Sequence, residues 1–296
     1  QLAPSRTNTV LMVLNKITLS IQRFQFRMYQ TSRSTRETKS TSLRPLTCHS
    51  PVMPGVIHAP YANCYRCPFD KQPDSCEMFC LDFLDEVINH ASTDDLAAVI
   101  VEPYLGVGGI VFPPEGYLTR LQTWAQDRGA LFILDEIQSS FGRTGKLFAL
   151  EWENLKPDIL CIGKGLGGGI PIAALLTTSD IIATIQPGEL SGGNGGSPFG
   201  CASALAVLDI MADEALADHA NEVGAYLLSR LQKWQEEFSF IGNVRGRGLC
   251  LAIEFVTDRI SKQPDLEIIP RIHRAAYQQG VYVGSRGYIL DIRPPW

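Results

Sequence analysis

The sequence predicts an α/β fold in which a mostly parallel sheet is flanked by helices and followed by a small α/β C-terminal domain. Short apolar runs of strand length alternate with segments of helical spacing, which is typical of that class. The runs are apolar throughout, as expected for strands that helices cover on both faces. The composition is that of a globular protein, since 45% of the 296 residues are hydrophobic and 19% are charged.

The predicted elements follow one another from about Met53 onward. Four apolar runs predict strands at 96–101, 130–134, 158–162 and 172–176. Helical spacing predicts helices at 115–128, 201–213 and 216–238. Further runs predict strands at 248–256, 281–283 and 288–290. The pattern changes near Asp213, which predicts a large domain over 53–213 and a small, incomplete domain over 214–296.

The amino-terminal segment, residues 1–52, is atypical. From Gln1 to Arg36 it contains no Asp or Glu but six Arg and Lys residues, and Ser and Thr are frequent. Such a beginning is typical of a mitochondrial transit peptide, and the alternative is a badly ordered or wrongly translated segment. We therefore expect a cytoplasmic or a mitochondrial protein.

Charge and hydropathy argue against two classes of partner. The formal net charge is −5, which does not favour nucleic-acid binding. No apolar run approaches the ~20 residues that a membrane-spanning helix needs. We expect neither a nucleic-acid nor a membrane partner, and we expect the eight cysteines to be mostly reduced thiols.

Three predicted strands end at a charged residue. Glu102 follows the first strand, Asp135 follows the second, and Lys164 lies one residue past Gly163 after the third. Ligands of open parallel sheets bind outside the carboxyl ends of the strands. A single charged residue after a strand commonly marks only the point where the chain reaches solvent. Three successive strands that end in this way predict a crevice lined by two acids and one amine.

Lys164 lies in the glycine-rich segment 161–169, where glycines let a planar ligand approach the backbone closely. A desolvated lysine loses preference for its charged form, and the neutral amine is the species that forms a Schiff base. A Walker-type phosphate loop needs Ser or Thr after the lysine, but Gly165 follows here. A Rossmann fingerprint also fails, because Ile170 stands at its final glycine.

Asp135 and Glu136 are adjacent at the end of the second predicted strand. A buried carboxylate needs a cationic or hydrogen-bonding partner, and a protonated pyridinium nitrogen is such a partner. We interpret Asp135 as that acid. Glu136 points to the other face if the strand continues, so we interpret it as structural.

These motifs resemble the signature of class III pyridoxal-phosphate-dependent aminotransferases, which include 4-aminobutyrate, acetylornithine and ornithine aminotransferases. The resemblance is carried by an ungapped match over 133–145, 156–158 and 162–171, with flanking agreement at 98–103, 197–202 and 244–249. It covers roughly Pro54 to Pro295. It implies the type I pyridoxal-phosphate-dependent transferase fold, with pyridoxal 5'-phosphate as the cofactor.

The resemblance also implies roles for four residues near the cofactor ring. Lys164 would hold the cofactor as a Schiff base and then move the proton on the substrate carbon. Asp135 would pair with the pyridine nitrogen, and Gln138 would hydrogen-bond the ring hydroxyl. Ile137 would press on one face of the ring.

Further roles follow from the same resemblance. Glu102 matches an acid that masks or releases a substrate-binding arginine, and the alternative is a structural ion pair at the strand end. Members are usually homodimers, and Asn194 and Ser197 fall where members place a phosphate contact across the subunit interface. The implied substrates are amino acids and 2-oxo acids.

The sequence departs from the family at both ends. We find neither the family's phosphate loop nor its ring-stacking aromatic residue in 1–51. Near the carboxyl end, Asp291 replaces the arginine that members carry three residues before a Pro-Pro pair. Arg293, two residues on, lies on the same strand face and could bind the substrate carboxylate instead. The chain stops at Trp296, so we expect truncation at both ends.

Four cysteines, Cys64, Cys67, Cys76 and Cys80, lie close together in the sequence. The first pair has zinc-ligand spacing, and an iron–sulfur centre is a further alternative. The alternative without metal is a cysteine-rich loop, including one with a reversible disulfide. We predict no metal, because similar segments occur in members that do not require one for transamination.

The resulting functional hypothesis is transfer of an amino group from an amino acid, including an ω-amino acid, to a 2-oxo acid. One alternative keeps the cofactor but decarboxylates or racemises the substrate. The other is a non-catalytic fragment that folds onto a partner.

Overall fold

A computed structural model of the chain describes residues 10–12, 56–91, 96–186, 189 and 195–296. At 10–12 only the backbone is described. The described elements form two sheets with helices against them, which confirms the predicted α/β class. No helix in the described part of the chain is long and apolar enough to cross a membrane.

The first sheet has the strand order β1-β5-β4-β3-β2. Strands β2, β3 and β4 are parallel, whereas β5 runs antiparallel to β4 and β1. The strands are β1 (Val10–Met12), β2 (Ala98–Val101), β3 (Leu131–Asp135), β4 (Ile159–Ile162) and β5 (Ala174–Thr177).

Helices cover this sheet because their apolar residues recur at helical spacing. Helix α1 (Phe79–Ala91) buries Leu81, Leu84 and Ile88, and α2 (Tyr117–Gln126) buries its residues at positions 117, 118, 121 and 125. They form one core with Phe132 and Leu134 of β3, both fully buried. Helix α3 (Ser179–Ile182) follows β5, and α4 (Pro198–Asp213) leads towards the second sheet.

The second sheet has the order β6-β7-β10-β9 and is antiparallel throughout. A short strand, β8, pairs with β7. Its elements are α5 (Leu216–Glu237), β6 (Ile241–Arg247), β7 (Cys250–Asp258), β8 (Gln263–Pro264), α6 (Ile268–Gln278), β9 (Gly284–Arg286) and β10 (Ile289–Ile292). Leu231 of α5 and Ile269 of α6 pack on the apolar side chains of this sheet.

Two arginines tie the loops of the first sheet to the second. Arg143, after β3, donates to the carbonyls of Leu249 (3.3 Å) and Pro294 (2.6 Å). Arg245 of β6 donates from Nη2 to the carbonyl of Gly109 at 2.8 Å. These contacts fix β10 relative to the carboxyl edge of the first sheet, although the predicted domain division near residue 213 stays a prediction.

Sequence patterns missed some elements and displaced one. Helices α1 and α6 and strand β6 were not predicted. The predicted strand at 281–283 is wrong, because the strand of that region is Gly284–Arg286 and Tyr282 is 90% exposed. Because Tyr282 is exposed, residues 281–283 do not bury an apolar face against the sheet. Strand pairing here would therefore gain no stabilisation from packing.

Candidate active site

The carboxyl edge of the first sheet brings together the three charged residues that follow its strands. Glu102 follows β2, Asp135 ends β3, and Lys164 comes two residues after β4. Because β2, β3 and β4 are parallel neighbours, with Asp135 paired to Cys161 of β4, these residues share one edge. The sheet therefore assembles two acids and an amine as expected.

The backbone at Lys164 is held in an unusual conformation. Gly163 is extended, and Lys164 begins a 3-10 turn over 164–167 with φ +45. A positive φ is uncommon for a residue with a Cβ and costs of order 1–3 kcal/mol, so the surrounding structure must impose it. Gly168 closes the turn with φ +54.

Charges from both sheets act on the Lys164 amine. The side chain reaches solvent, yet surrounding protein desolvates it and lowers the pKa of Lys164. Asp135 and Glu102 oppose this shift and raise the pKa. Arg293 and Arg286, from the end of the chain, lower it further. Lys164 thus lies where an acidic and a basic group of side chains meet.

Asp135 is a buried acid, with 5% of the residue exposed. Burial raises the pKa of Asp135, while the Ile137 N–H and the charge of Lys164 lower it. The Ile137 N–H donates to Asp135 Oδ1 at 3.0 Å, which orients the carboxylate. A buried carboxylate needs a cationic or hydrogen-bonding partner, and the charge of Lys164 acts on this one.

Glu136 points away from this edge and supports the following loop. Its carboxylate accepts hydrogen bonds from the backbone N–H groups of Ala149 and Leu150, each at 2.7 Å, and from Ser139 Oγ at 2.9 Å. Burial is the main cause that raises the pKa of Glu136 to about 7. These contacts support the structural interpretation of Glu136.

Glu102 and Gln138 converge on Gly106. The Gly106 N–H donates to Glu102 Oε2 at 2.9 Å, and a Cβ at Gly106 would lie 1.5 Å from Gln138 Oε1. A side chain at position 106 would therefore require the Gln138 amide to move. Tyr104 donates its hydroxyl to the Gln138 carbonyl at 3.2 Å, which fixes the backbone at Gln138.

The other two residues near the proposed ring site differ in exposure and position. Ile137 is 3% exposed and packs with Cys161 and Leu175, so little of its surface is open to the site. Ser197 is the residue before α4, and its carbonyl accepts from the Cys201 N–H at 2.9 Å. Asn194 lies outside the described residues.

Arg293 is held by the residue that replaces the family's arginine. Its Nη2 donates to Asp291 Oδ2 at 2.5 Å, and Arg286 Nε donates to the same oxygen at 3.0 Å. Sequence reasoning missed Arg286. The sequence indicates Arg286 only through its charge, which is opposite to that of Asp291 across a short hairpin. That pairing can be recognised only when the register of β9 and β10 is known.

The four cysteines of the cluster lie together around one pocket. Their thiols are free, Phe69 and Phe79 also line the pocket, and no described His, Cys, Asp or Glu residues form a group that could hold a metal ion. Burial is the main cause that raises the pKa of Cys80 to about 11, which favours the protonated thiol over the thiolate that binds metals.

Arg66, within the first cysteine pair, explains the loop's position. Its Nε forms an ion pair with Glu254 of β7, its Nη2 donates to the Lys262 carbonyl at 2.8 Å, and its guanidinium stacks on Tyr288. The Cys-Tyr-Arg-Cys turn therefore anchors on the second sheet. Sequence reasoning missed this role because it treated the cysteines as the informative residues.

Residues 28–296 match the family described as Aminotransferase class-III. The match begins upstream of Pro54, so it takes in part of segment 1–52 that the motifs left unassigned. The chain is also similar to an amine transaminase structure from an uncultivated Pseudomonas species in its PLP-bound form. That similarity has a TM-score of 0.77 and 34% identity, covering 85% of this chain and 60% of that one.

Two curated relatives have different names. The chain is 37% identical over 242 residues to a leucine/methionine racemase of Thermococcus litoralis, covering 81% of this chain and 55% of the relative. It is 34% identical over 249 residues to a probable 4-aminobutyrate aminotransferase of Bacillus subtilis, covering 83% and 57%. The chain therefore spans about half the length of the curated relatives it matches.

Proposed function

The chain belongs to the class-III aminotransferase family, and on that premise we propose that it is a pyridoxal-phosphate-dependent aminotransferase. It moves an amino group from an amino acid, including an ω-amino acid, to a 2-oxo acid. The observation that carries this proposal is the meeting of Lys164 with the buried acid Asp135 at one sheet edge.

The residues at this edge fit the ring end of pyridoxal 5'-phosphate. An aldehyde cofactor needs an amine that gives up its proton, and burial lowers the pKa of Lys164. A pyridinium nitrogen needs a nearby acid. Asp135 is a buried acid, and the positive charge of Lys164 lowers its pKa. When bound, the cofactor supplies an electron sink for bond breaking at the substrate carbon.

Each side chain then has a defined task. Lys164 Nζ takes the proton from the substrate carbon and returns it, which requires a neutral amine for part of the cycle. Asp135 would hold the cofactor nitrogen, Gln138 would hydrogen-bond the ring hydroxyl, and Ile137 would contact one face of the ring. Glu102, oriented by the Gly106 N–H, opposes the effect of burial on Lys164 by raising the pKa of its amine.

The first test follows cofactor binding and amino transfer in the full chain. We expect visible absorbance after incubation with pyridoxal phosphate, and transfer of an amino group to a 2-oxo acid. Lys164→Ala should abolish both, whereas Lys233→Ala, at an exposed site on α5, should abolish neither. A colourless wild-type protein would instead support the non-catalytic fragment.

Racemisation is the second candidate, because the Thermococcus litoralis relative is named a racemase. Both reactions need the proton moved by Lys164, but only transamination exchanges the amino group with a second substrate. A pure L-amino acid supplied without a 2-oxo acid separates them. Loss of optical rotation without any 2-oxo product supports racemisation, and carbon dioxide release supports decarboxylation.

A homodimer completes the proposal. Helix α4 leaves Phe199 (70%), Leu205 (63%) and Ile210 (47%) exposed, a larger apolar surface than a soluble helix usually shows. Ser197 is the residue before this helix, and we propose that Ser197 and Asn194 contact the cofactor phosphate of a second copy. Sedimentation should give a dimer that Leu205→Asp dissociates, and a monomeric wild type contradicts this part.

A further inference from the structure

The proposed reaction uses none of the thiols of the cysteine cluster. Two segments, 64–67 and 76–80, each carry a cysteine at both ends. The first segment is the Cys-Tyr-Arg-Cys turn, and the second leads into the first turn of α1. The thiols at these four positions are free, partly buried and line one pocket: Cys64, Cys67, Cys76 and Cys80.

Aromatic packing holds the two segments against each other. Phe69, two residues after Cys67, packs edge-on against Phe79 with the ring centroids 5.1 Å apart. Phe79 immediately precedes Cys80, so this contact brings the end of the turn to the start of α1. The Cys76 carbonyl accepts from the Phe79 N–H at 2.8 Å, which holds the other end of the second segment in the same place.

The pocket disfavours charged thiolates and brings thiols of different segments together. Burial raises the pKa of Cys64 and of Cys80, because the pocket walls include apolar side chains such as Phe79 and Met78. The next largest cause is a neighbouring thiol, which is Cys76 for Cys64 and Cys64 for Cys80. In both cases this thiol belongs to the other segment. A disulfide between the segments carries no charge and suits such a pocket.

Solvent reaches these thiols, unlike those of two other cysteines. Cys161 and Cys250 are 1% and 0% exposed, whereas the four cysteines of the cluster are partly exposed. A small disulfide in solution can therefore react with the cluster. A thiol held in the same pocket then attacks the resulting mixed disulfide in preference to a second molecule from solution, because it is already close.

We propose that the cluster is a redox-modification site, at which one cysteine of segment 64–67 and one of segment 76–80 form a reversible disulfide. The oxidant is a low-molecular-weight disulfide of the glutathione class. This inference goes beyond the proposed function, since neither segment belongs to the sheet edge that carries Lys164. The disulfide adds a covalent link between α1 and the turn that Arg66 anchors on the second sheet.

Two exchange steps form this disulfide. A cluster thiol loses its proton, its sulfur bonds to one sulfur of the reagent, and the S–S bond of the reagent breaks to release one thiolate. A thiol of the other segment then loses its proton and attacks the cysteine sulfur of the mixed disulfide, which releases the second thiolate. The two thiolates take up the two protons, so two cysteines are oxidised while one reagent disulfide is reduced to two thiols.

The test equilibrates the full chain with mixtures of reduced and oxidised glutathione, without added pyridoxal phosphate. The remaining thiols are alkylated in denaturant, and the peptides are identified by mass spectrometry. We expect a disulfide-linked pair of peptides from the two segments in the oxidising mixtures, and its loss in excess reduced glutathione. The linked fraction should not depend on protein concentration, and Cys161 and Cys250 should remain alkylated.

Paired variants test which thiols form the link. Cys64→Ser combined with Cys67→Ser should abolish it, and so should Cys76→Ser combined with Cys80→Ser. If one pair does not fold, as judged by near-ultraviolet circular dichroism, the other pair tests the same link. The control Cys201→Ser, on α4 and outside the pocket, should form the link to the same extent as the wild type.

Three outcomes overturn the inference. The first is alkylation of all four cysteines of the cluster in the most oxidising mixture. The second is glutathione adducts without a disulfide within the protein. The third is a disulfide confined to one segment, such as one that joins Cys64 to Cys67.

Discussion

At the residue scale, the site depends on how burial and charge act on one amine and one acid. Burial lowers the pKa of Lys164 and raises the pKa of Asp135, so desolvation favours the neutral form of each group. Each charged form also stabilises the other. A cofactor that carries a cationic nitrogen can take over part of the compensation that Lys164 gives Asp135.

Asp135→Asn tests this arrangement. The amide oxygen can still accept from the Ile137 N–H, so the fold should be retained. Loss of the charged acid should weaken cofactor binding and amino transfer by about tenfold or more, because charge-assisted hydrogen bonds contribute roughly 1.5–3 kcal/mol. Cofactor titration and initial rates measure the change, and unchanged values would remove Asp135 from the site.

Glu136 makes the free energy of unfolding depend on pH. Its pKa is raised from 4.5 to about 7 in the folded protein, so this contribution is complete below pH 4.5 and is lost as pH rises through 7. The difference corresponds to about 3 kcal/mol.

Urea unfolding from pH 4.5 to 8 should therefore show a decline in the wild type that Glu136→Gln lacks. Glu136→Gln should also be less stable at pH 4.5, because an amide cannot accept every donor that the carboxyl group meets. Glu237→Gln, at an exposed site, serves as the control. Parallel pH profiles of the wild type and Glu136→Gln would contradict the buried-acid account.

At the element scale, the strands that carry the site were predictable, because β2, β3 and β4 are short apolar runs that end in charge. The orientation of β5 was not, since an apolar run does not encode strand direction. Strand β6 was not predicted, because its apolar pattern is interrupted by Gly242, Asn243 and Arg245.

The part of the site that sequence reasoning missed comes from the second sheet. Arg286 and Asp291 meet only because Ile289 pairs with Arg286 and Asp291 pairs with Gly284 across β9 and β10. Lys164, Asp135 and Glu102 are each local to one strand end. The arginine pair depends on the hairpin register and on the packing of two sheets, and neither can be derived from spacing in the chain.

Helix α5 contacts the β6–β7 turn at Gly224, so we expect this position to require glycine. A Cβ at Gly224 would lie 2.1 Å from the Gly248 carbonyl oxygen, which belongs to the backbone and cannot rotate away. Gly224→Ala should destabilise the protein by about 2 kcal/mol or more through overpacking.

The matched control is Gly200→Ala on α4, where a Cβ meets only the Ile172 side chain at 3.4 Å or more. Alanine is the better helix former, so this variant should be neutral or stabilising by up to about 1 kcal/mol. Thermal unfolding measures both variants. Equal stability of the two would refute close packing of α5 on the turn.

At the scale of the whole molecule, Glu254 joins the cysteine loop to the second sheet. It is 2% exposed and forms ion pairs with Arg66 of the loop and Arg245 of β6, the latter at 2.8 Å. Arg245 also donates to the Gly109 carbonyl, in the loop after β2. One carboxylate therefore links the cysteine loop, and through Arg245 the loop after β2, to the second sheet.

Glu254→Gln should reduce the free energy of unfolding by about 3–5 kcal/mol, because it leaves two largely buried guanidinium groups without their charge partner. Urea unfolding gives the value, and limited proteolysis should cut near Cys64–Cys67 earlier than in the wild type. Glu267→Gln, at an exposed site before α6, is the control. A loss below about 1 kcal/mol would contradict the role of Glu254.

The central claim is that Lys164 is the amine that holds the cofactor. The direct measurement is borohydride reduction of the full chain with pyridoxal phosphate, followed by mass spectrometry of its peptides. We predict stoichiometric labelling of the peptide that contains Lys164. Labelling spread over exposed lysines such as Lys233, with Lys164 unmodified, would contradict the account.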